Sequence, residues 1–134
     1  MQIAASVVSS AARHEVTIRT GQSIQPLLVA PKKGGLGSSV NGGEFLMLAL
    51  ATCYCNDLYR EAERLGIPIQ GAEVEASGEF LGVGLAASNI SYRAKVHSSA
   101  PAGDVQRLLR ETDAVAEVHN TIRSGVPVRL VPGD

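Results

Sequence analysis

The chain has 134 residues, 45% of them apolar, and its 12 basic side chains nearly balance its 13 acidic ones. This length and composition predict one globular domain over residues 1–134. The balanced charge, with no run of like charge longer than Lys32-Lys33, argues against nucleic acid as a partner. No apolar run approaches the roughly 18 residues of a membrane helix, and the N-terminal residues lack the basic start of a secretory signal. We therefore expect a cytoplasmic protein with no membrane partner.

The first third of the chain predicts a β-meander followed by a loop. Strand-like runs cover residues 2–10 and 14–21, with a turn-like AAR between them, and a third run ends with LLVAP. Residues 31–43, PKKGGLGSSVNGG, hold five glycines and no periodic apolar positions, which is typical of a loop. Because this loop lacks both GxGxxG and GK[ST], it does not predict a phosphate site.

A long helix is predicted from Glu44 to Leu65, where Gly66 and Pro68 provide stop signals. Residues 45–55 carry no charge, so this half of the helix is expected to be buried on every side. A chain of this size has few other helices and strands that could cover such a helix. Either sheets wrap it from several sides, or a second subunit covers it.

The remaining chain predicts a hairpin, a helical region and a short strand. In the hairpin, apolar residues alternate with polar ones, at Val74, Ala76, Gly78 and Phe80 and then at Ile90, Tyr92, Ala94 and Val96. The helical region, 101–125, has a predicted break near Thr112-Asp113 and ends at Gly125, and VPVRLV (126–131) is the predicted last strand. The fold class is therefore α+β, with an N-terminal β-meander, a buried central helix, an antiparallel hairpin and a C-terminal helix and strand.

The two cysteines, Cys53 and Cys55, lie two positions apart in the predicted central helix. Since a helix turns about 100° per residue, their side chains diverge too far for a disulfide while the helix is intact. The histidines stand far from them in sequence and form no metal-binding motif, so neither a metal nor a cofactor is expected. Periodicity alone therefore predicts that Cys53 and Cys55 are apolar packing residues.

The stretch NGGEFLMLALATCYCNDLYREAERLGI closely resembles the central helix of OsmC-like proteins, which include osmotically induced protein C and the organic hydroperoxide resistance proteins. In that family an acid precedes the cysteine by nine or ten residues. Here Glu44 precedes Cys53 by nine residues, and Asp57 follows it by four. The C-terminal EVHNTIRSGVPVRL is similar to the family's last helix and strand. The resemblance implies an OsmC-like fold in an intertwined homodimer, with the cysteine helices at its centre.

The resemblance also implies a function, thiol-dependent reduction of organic hydroperoxides in the response to oxidative or osmotic stress. Cys53 would attack the O–O bond, and Arg13, oriented by Glu44, would stabilise its thiolate. Arg19 is a weaker candidate for that cation.

Accessory roles are assigned to Cys55, Asp57 and His119. Ala116 occupies the position of the family's second cysteine, so either Cys55 or an external thiol reductant would resolve the oxidised Cys53. The alternative is a non-catalytic OsmC-like dimer that binds a small hydrophobic ligand in its interface cleft.

Overall fold

The computed structural model describes residues 1–133. The chain divides into two compact units, Met1–Phe45 and Leu46–Asp134, the second of which is described as far as Gly133. The assignment of residues 1–134 to a single domain stays a prediction. Among residues 1–133, no helix combines the length and apolarity needed to cross a membrane.

The first unit contains the predicted β-meander. Its strands are β1 (Ile3–Ser9), β2 (His14–Thr20) and β3 (Ser23–Leu27), which form one antiparallel sheet in the order β1-β2-β3. Val16 on the central strand is buried and pairs with Val7 on one side and Leu27 on the other. Because directly opposed residues share a face, these three side chains form an apolar row, of which Val7 and Leu27 remain exposed.

The long helix, α1 (Gly42–Leu65), begins and ends at defined caps. At its start, the Glu44 N–H donates to Asn41 Oδ1 at 2.8 Å, and the Asn41 N–H donates to Glu44 Oε1 at 2.9 Å. This reciprocal pair is a capping box. At its end, Gly66 adopts a φ of 68°, and the Ile67 N–H donates to the Ala62 carbonyl, which is the Schellman pattern. The predicted helix is confirmed to within two residues.

The second unit is built on the later elements of the chain. These are β4 (Gly71–Glu79), β5 (Ser88–His97), α2 (Ala102–Val115) and α3 (Glu117–Arg123). The two strands form an antiparallel hairpin in which Val74 lies opposite Ala94 and Ala76 opposite Tyr92. The apolar face packs against a core centred on Leu58 and Leu108, as the alternation predicted. Phe80 is the exception, because it lies beyond the end of β4 and is exposed.

The C-terminal region differs from the prediction in two places. The helix breaks at Ala116, whose ψ of 105° is extended, and not at Thr112, which is fully buried within α2. Residues 126–131 form no strand, because within residues 1–133 no strand pairs with them. Val128 and Leu130 are consequently left exposed.

Within the second unit, the described residues leave one face of α1 uncovered. The buried face includes Leu50, Tyr54 and Leu58. On the other side lies a stripe at spacings of three and four residues, here called the outer stripe, consisting of Leu48, Thr52, Cys55 and Tyr59. Leu48 is 57% exposed, and Thr52 and Tyr59 are also exposed. The described residues of the second unit therefore do not bury α1 on every side, which leaves the alternative that a second subunit covers it.

Candidate functional site

Cys53 lies at the edge of the buried face of α1, half-buried against the core of the second unit. Asp57 follows one helical turn later, on the same side of α1. The Cys53 S–H donates a hydrogen bond to Asp57 Oδ2 over 3.7 Å. This contact joins a sulfur nucleophile to a group that can accept its proton.

A second carboxyl group, from Glu117 at the start of α3, completes what we call the thiol–carboxylate cluster: Cys53, Asp57 and Glu117. The sulfur and one oxygen of each carboxyl group all lie within 4.8 Å of one another. Asp57 is buried, whereas Glu117 is exposed. Arg60 balances part of their charge, since its Nη1 lies 3.0 Å from Asp57 Oδ1 and 3.7 Å from Glu117 Oε1.

Burial and charge raise the proton affinity of two members of the cluster. Burial raises the pKa of the Cys53 thiol, and Asp57 and Glu117 raise it further, while the neighbouring Val118 backbone partly offsets this increase. Burial also raises the pKa of Asp57, against the lowering effect of Arg60. The resting sulfur is therefore a thiol, and Asp57 is a stronger base than an exposed aspartate.

A thiolate and two carboxylates are also a chemically acceptable ligand set for a divalent cation such as zinc. Arg60 lies beside one oxygen of each carboxyl group and neutralises part of the charge that would attract a cation. The arrangement therefore favours proton exchange between sulfur and carboxylate over metal binding.

A family model for OsmC-like proteins matches residues 35–131. The chain belongs to the OsmC-like family. A search of curated proteins gives no match.

Solved structures of OsmC-like proteins share the fold. An OsmC-like protein from Mycoplasma pneumoniae is 17% identical, with a TM-score of 0.68 over 92% of this chain and 88% of that one. The organic hydroperoxide resistance protein OsmC from Legionella pneumophila is 14% identical, with a TM-score of 0.59 over 92% of this chain and 90% of that one. An OsmC-like hydroperoxide resistance protein from Jannaschia is 14% identical, with a TM-score of 0.57 over 98% of this chain and 93% of that one. At these identities the likeness establishes the α+β OsmC-like fold alone.

Arg13 and Glu44, the residues predicted to stabilise the Cys53 thiolate of this OsmC-like chain, each contact a residue close by in the sequence. Glu44 belongs to the capping box with Asn41. Arg13 Nη2 lies 2.6 Å from Glu15 Oε2, and both side chains are more than half exposed. A role for Arg13 and Glu44 at the Cys53 thiol stays a prediction.

The predicted accessory residues occupy three different environments. Asp57 is the hydrogen-bond acceptor of Cys53, as described above. Cys55 is a free, half-buried thiol on the outer stripe. His119 is buried beside Tyr54 and Tyr92, with ring centroids 5.9 Å and 4.5 Å away, and neither ring nitrogen hydrogen-bonds to any residue in 1–133.

Two members of the site, Glu117 and Arg60, were not predicted from the sequence. Glu117 follows Ala116, which is fully buried and which the sequence resemblance assigns to the position of the family's second cysteine. Its place next to Ala116 is the feature of the sequence that could have identified Glu117 as a member of the site. Arg60 lies three residues after Asp57, a spacing that brings side chains together on a helix.

Proposed function

We propose that this OsmC-like protein reduces organic hydroperoxides through Cys53, in the response to oxidative stress. The observation that carries the proposal is the hydrogen bond from the Cys53 thiol to Asp57, within a cluster that holds a second carboxyl group. A thiol becomes a strong nucleophile only as the thiolate, so the site needs a proton acceptor within reach of the sulfur.

The proposed reaction begins with transfer of the thiol proton to Asp57. The thiolate attacks one oxygen of the hydroperoxide, an S–O bond forms and the O–O bond breaks, so sulfur is oxidised by two electrons and the peroxide is reduced. The leaving alkoxide takes the proton back from the carboxyl pair and departs as an alcohol. Cys53 is left as a sulfenic acid.

An external thiol is proposed to resolve that sulfenic acid. Buried Ala116 offers no sulfur, and Cys55 lies on the outer stripe with its side chain turned away from that of Cys53. One external thiol would condense with the sulfenic acid, releasing water and forming a mixed disulfide. A second thiol would then release reduced Cys53.

We further propose that the protein acts in the cytoplasm as a homodimer. Support comes from apolar surface that one chain leaves open: the outer stripe of α1, and Val128 and Leu130 after α3. An apolar helix face of this kind is normally covered in a stable assembly. A second copy would also cover the open side of the uncharged half of α1, which the sequence predicts to be buried on all sides.

The reduced protein should consume cumene hydroperoxide over many turnovers when supplied with a dithiol. After one equivalent of peroxide without reductant, dimedone labelling should map the sulfenic acid to Cys53. A Cys55→Ser variant serves as the control and should keep the activity, since Cys55 has no part in the proposed reaction. Consumption no faster than that by the dithiol alone, or oxidation mapped to Cys55, would contradict the proposal.

Leu48→Glu should convert the dimer to a monomer. A charge on the outer stripe would have to be buried without a partner, which is costly in an apolar interface. Light scattering after size-exclusion chromatography should give twice the 14.0 kDa chain mass for the wild type and the single mass for the variant. Leu48→Met keeps an apolar side chain and should remain dimeric. A wild type that elutes as a monomer would refute the dimer.

A further inference from the structure

A cavity of about 330 Å³ lies in the second unit, between α1, β5 and α3. Leu50, Ile90 and Ile122 contribute apolar walls, and Tyr92 adds an aromatic one. The volume falls at the lower end of the range of small-molecule sites, about 300–1,000 Å³. Cys53 is not among its lining residues, so the cavity is distinct from the thiol–carboxylate cluster.

His119 lines this cavity and has unmet hydrogen-bonding capacity. Its side chain is 3% exposed, and neither Nδ1 nor Nε2 has a hydrogen-bond partner among residues 1–133. Burial, assisted by Arg123, lowers the pKa of His119, so the ring is neutral at neutral pH. A neutral imidazole offers one N–H donor and one lone-pair acceptor, and leaving both unpaired in a buried place is unfavourable.

The neighbouring polar groups, by contrast, are already paired. Tyr92 donates its hydroxyl hydrogen to Asp113, and Arg123 Nη2 lies 2.7 Å from the same carboxylate. Because Asp113 neutralises Arg123, the cavity presents no free charge for an anionic ligand. Its occupant should be uncharged and should satisfy the imidazole of His119.

We propose that this cavity binds a small neutral molecule with an apolar body and one O–H group, which hydrogen-bonds to His119. An O–H group can either donate to the imidazole lone pair or accept from its N–H. Alcohols, phenols and hydroperoxides share this chemistry. The proposal does not rest on peroxidase activity, because binding here requires no reaction at Cys53.

The test is nuclear magnetic resonance of the protein labelled with ¹⁵N at histidine. The chain has only three histidines, so each ring can be followed separately. Adding 2-phenylpropan-2-ol should shift the His119 ring signals saturably and leave those of His14 and His97 in place. Cumene, which has the same apolar body without the hydroxyl, should bind about tenfold more weakly, the worth of one net hydrogen bond.

His119→Phe keeps an aromatic ring and removes both nitrogens, so it should bind cumene and 2-phenylpropan-2-ol equally. His97→Phe, on the exposed face of β5, is the matched control and should keep the preference for the alcohol. The proposal is overturned if the His119 signals do not respond, if all three histidines shift alike, or if cumene binds the wild type as tightly as the alcohol. The wild-type comparison alone decides the matter if His119→Phe fails to fold.

Discussion

Asp57→Asn should slow the oxidation of Cys53 by organic hydroperoxide about 10²- to 10⁴-fold, the range expected for loss of a general base. The asparagine amide has nearly the same shape but cannot take the thiol proton over the 3.7 Å contact. Stopped-flow measurement of the reduced protein against cumene hydroperoxide, without reductant, isolates this step. Asp104→Asn, which removes an exposed acid in the first turn of α2, is the matched control and should react at the wild-type rate.

The direction of the Asp57→Asn effect separates two roles of this carboxylate. As a negative charge beside the sulfur, Asp57 raises the pKa of Cys53, so its loss alone would lower that pKa and increase the thiolate fraction. If thiolate supply were the only factor, the variant would react faster than the wild type. A faster variant would therefore contradict proton transfer to Asp57. In the wild type, proton transfer needs an ionised Asp57, so the rate should fall as the pH is lowered through the raised pKa of this carboxyl group.

Leu58→Ala should lower the free energy of unfolding by about 2–5 kcal/mol, the cost of truncating a fully buried leucine. Leu58 is 0% exposed and lies in the core of the second unit with Tyr54 and Leu108, so the missing atoms would leave a cavity. Urea unfolding followed by circular dichroism, at one fixed protein concentration, measures the change. Fixing the concentration matters because the proposed dimerisation would contribute to apparent stability.

Leu81→Ala is the control for this truncation. Leu81 lies between β4 and β5 and is 72% exposed, so the same change should cost no more than about 0.5 kcal/mol. Equal losses from Leu58→Ala and Leu81→Ala would show that burial in this core does not determine stability.

Local sequence patterns predicted most of the elements correctly. The alternation in β4 and β5 fixes which face packs inward, because a strand's side chains point to opposite sides. The ends of α1 were also predictable, since Asn41, Glu44 and Gly66 act through hydrogen bonds to their own neighbours in the chain. These interactions are local, so the residues that specify them are adjacent in sequence.

The features that could not be predicted depend on distant residues. Glu117 approaches Cys53 from an element more than sixty residues later in the chain, so apart from its adjacency to Ala116 no local pattern indicates that approach. The break at Ala116 was misplaced because Thr112, although a frequent helix-capping residue, is buried within α2. The last strand was misjudged because a strand needs a pairing partner as well as a suitable composition.

Arg60 is the only positive partner that the described residues 1–133 give to Asp57 and Glu117, so with both carboxylates ionised the site keeps a net negative charge while Cys53 is a sulfenic acid. Coulomb repulsion would then act on any anion that approaches the sulfur. Glutathione carries such a charge, whereas an uncharged dithiol does not. The same carboxylates that accept a proton would thus favour neutral reductants over acidic ones, and this bias would weaken as ionic strength rises.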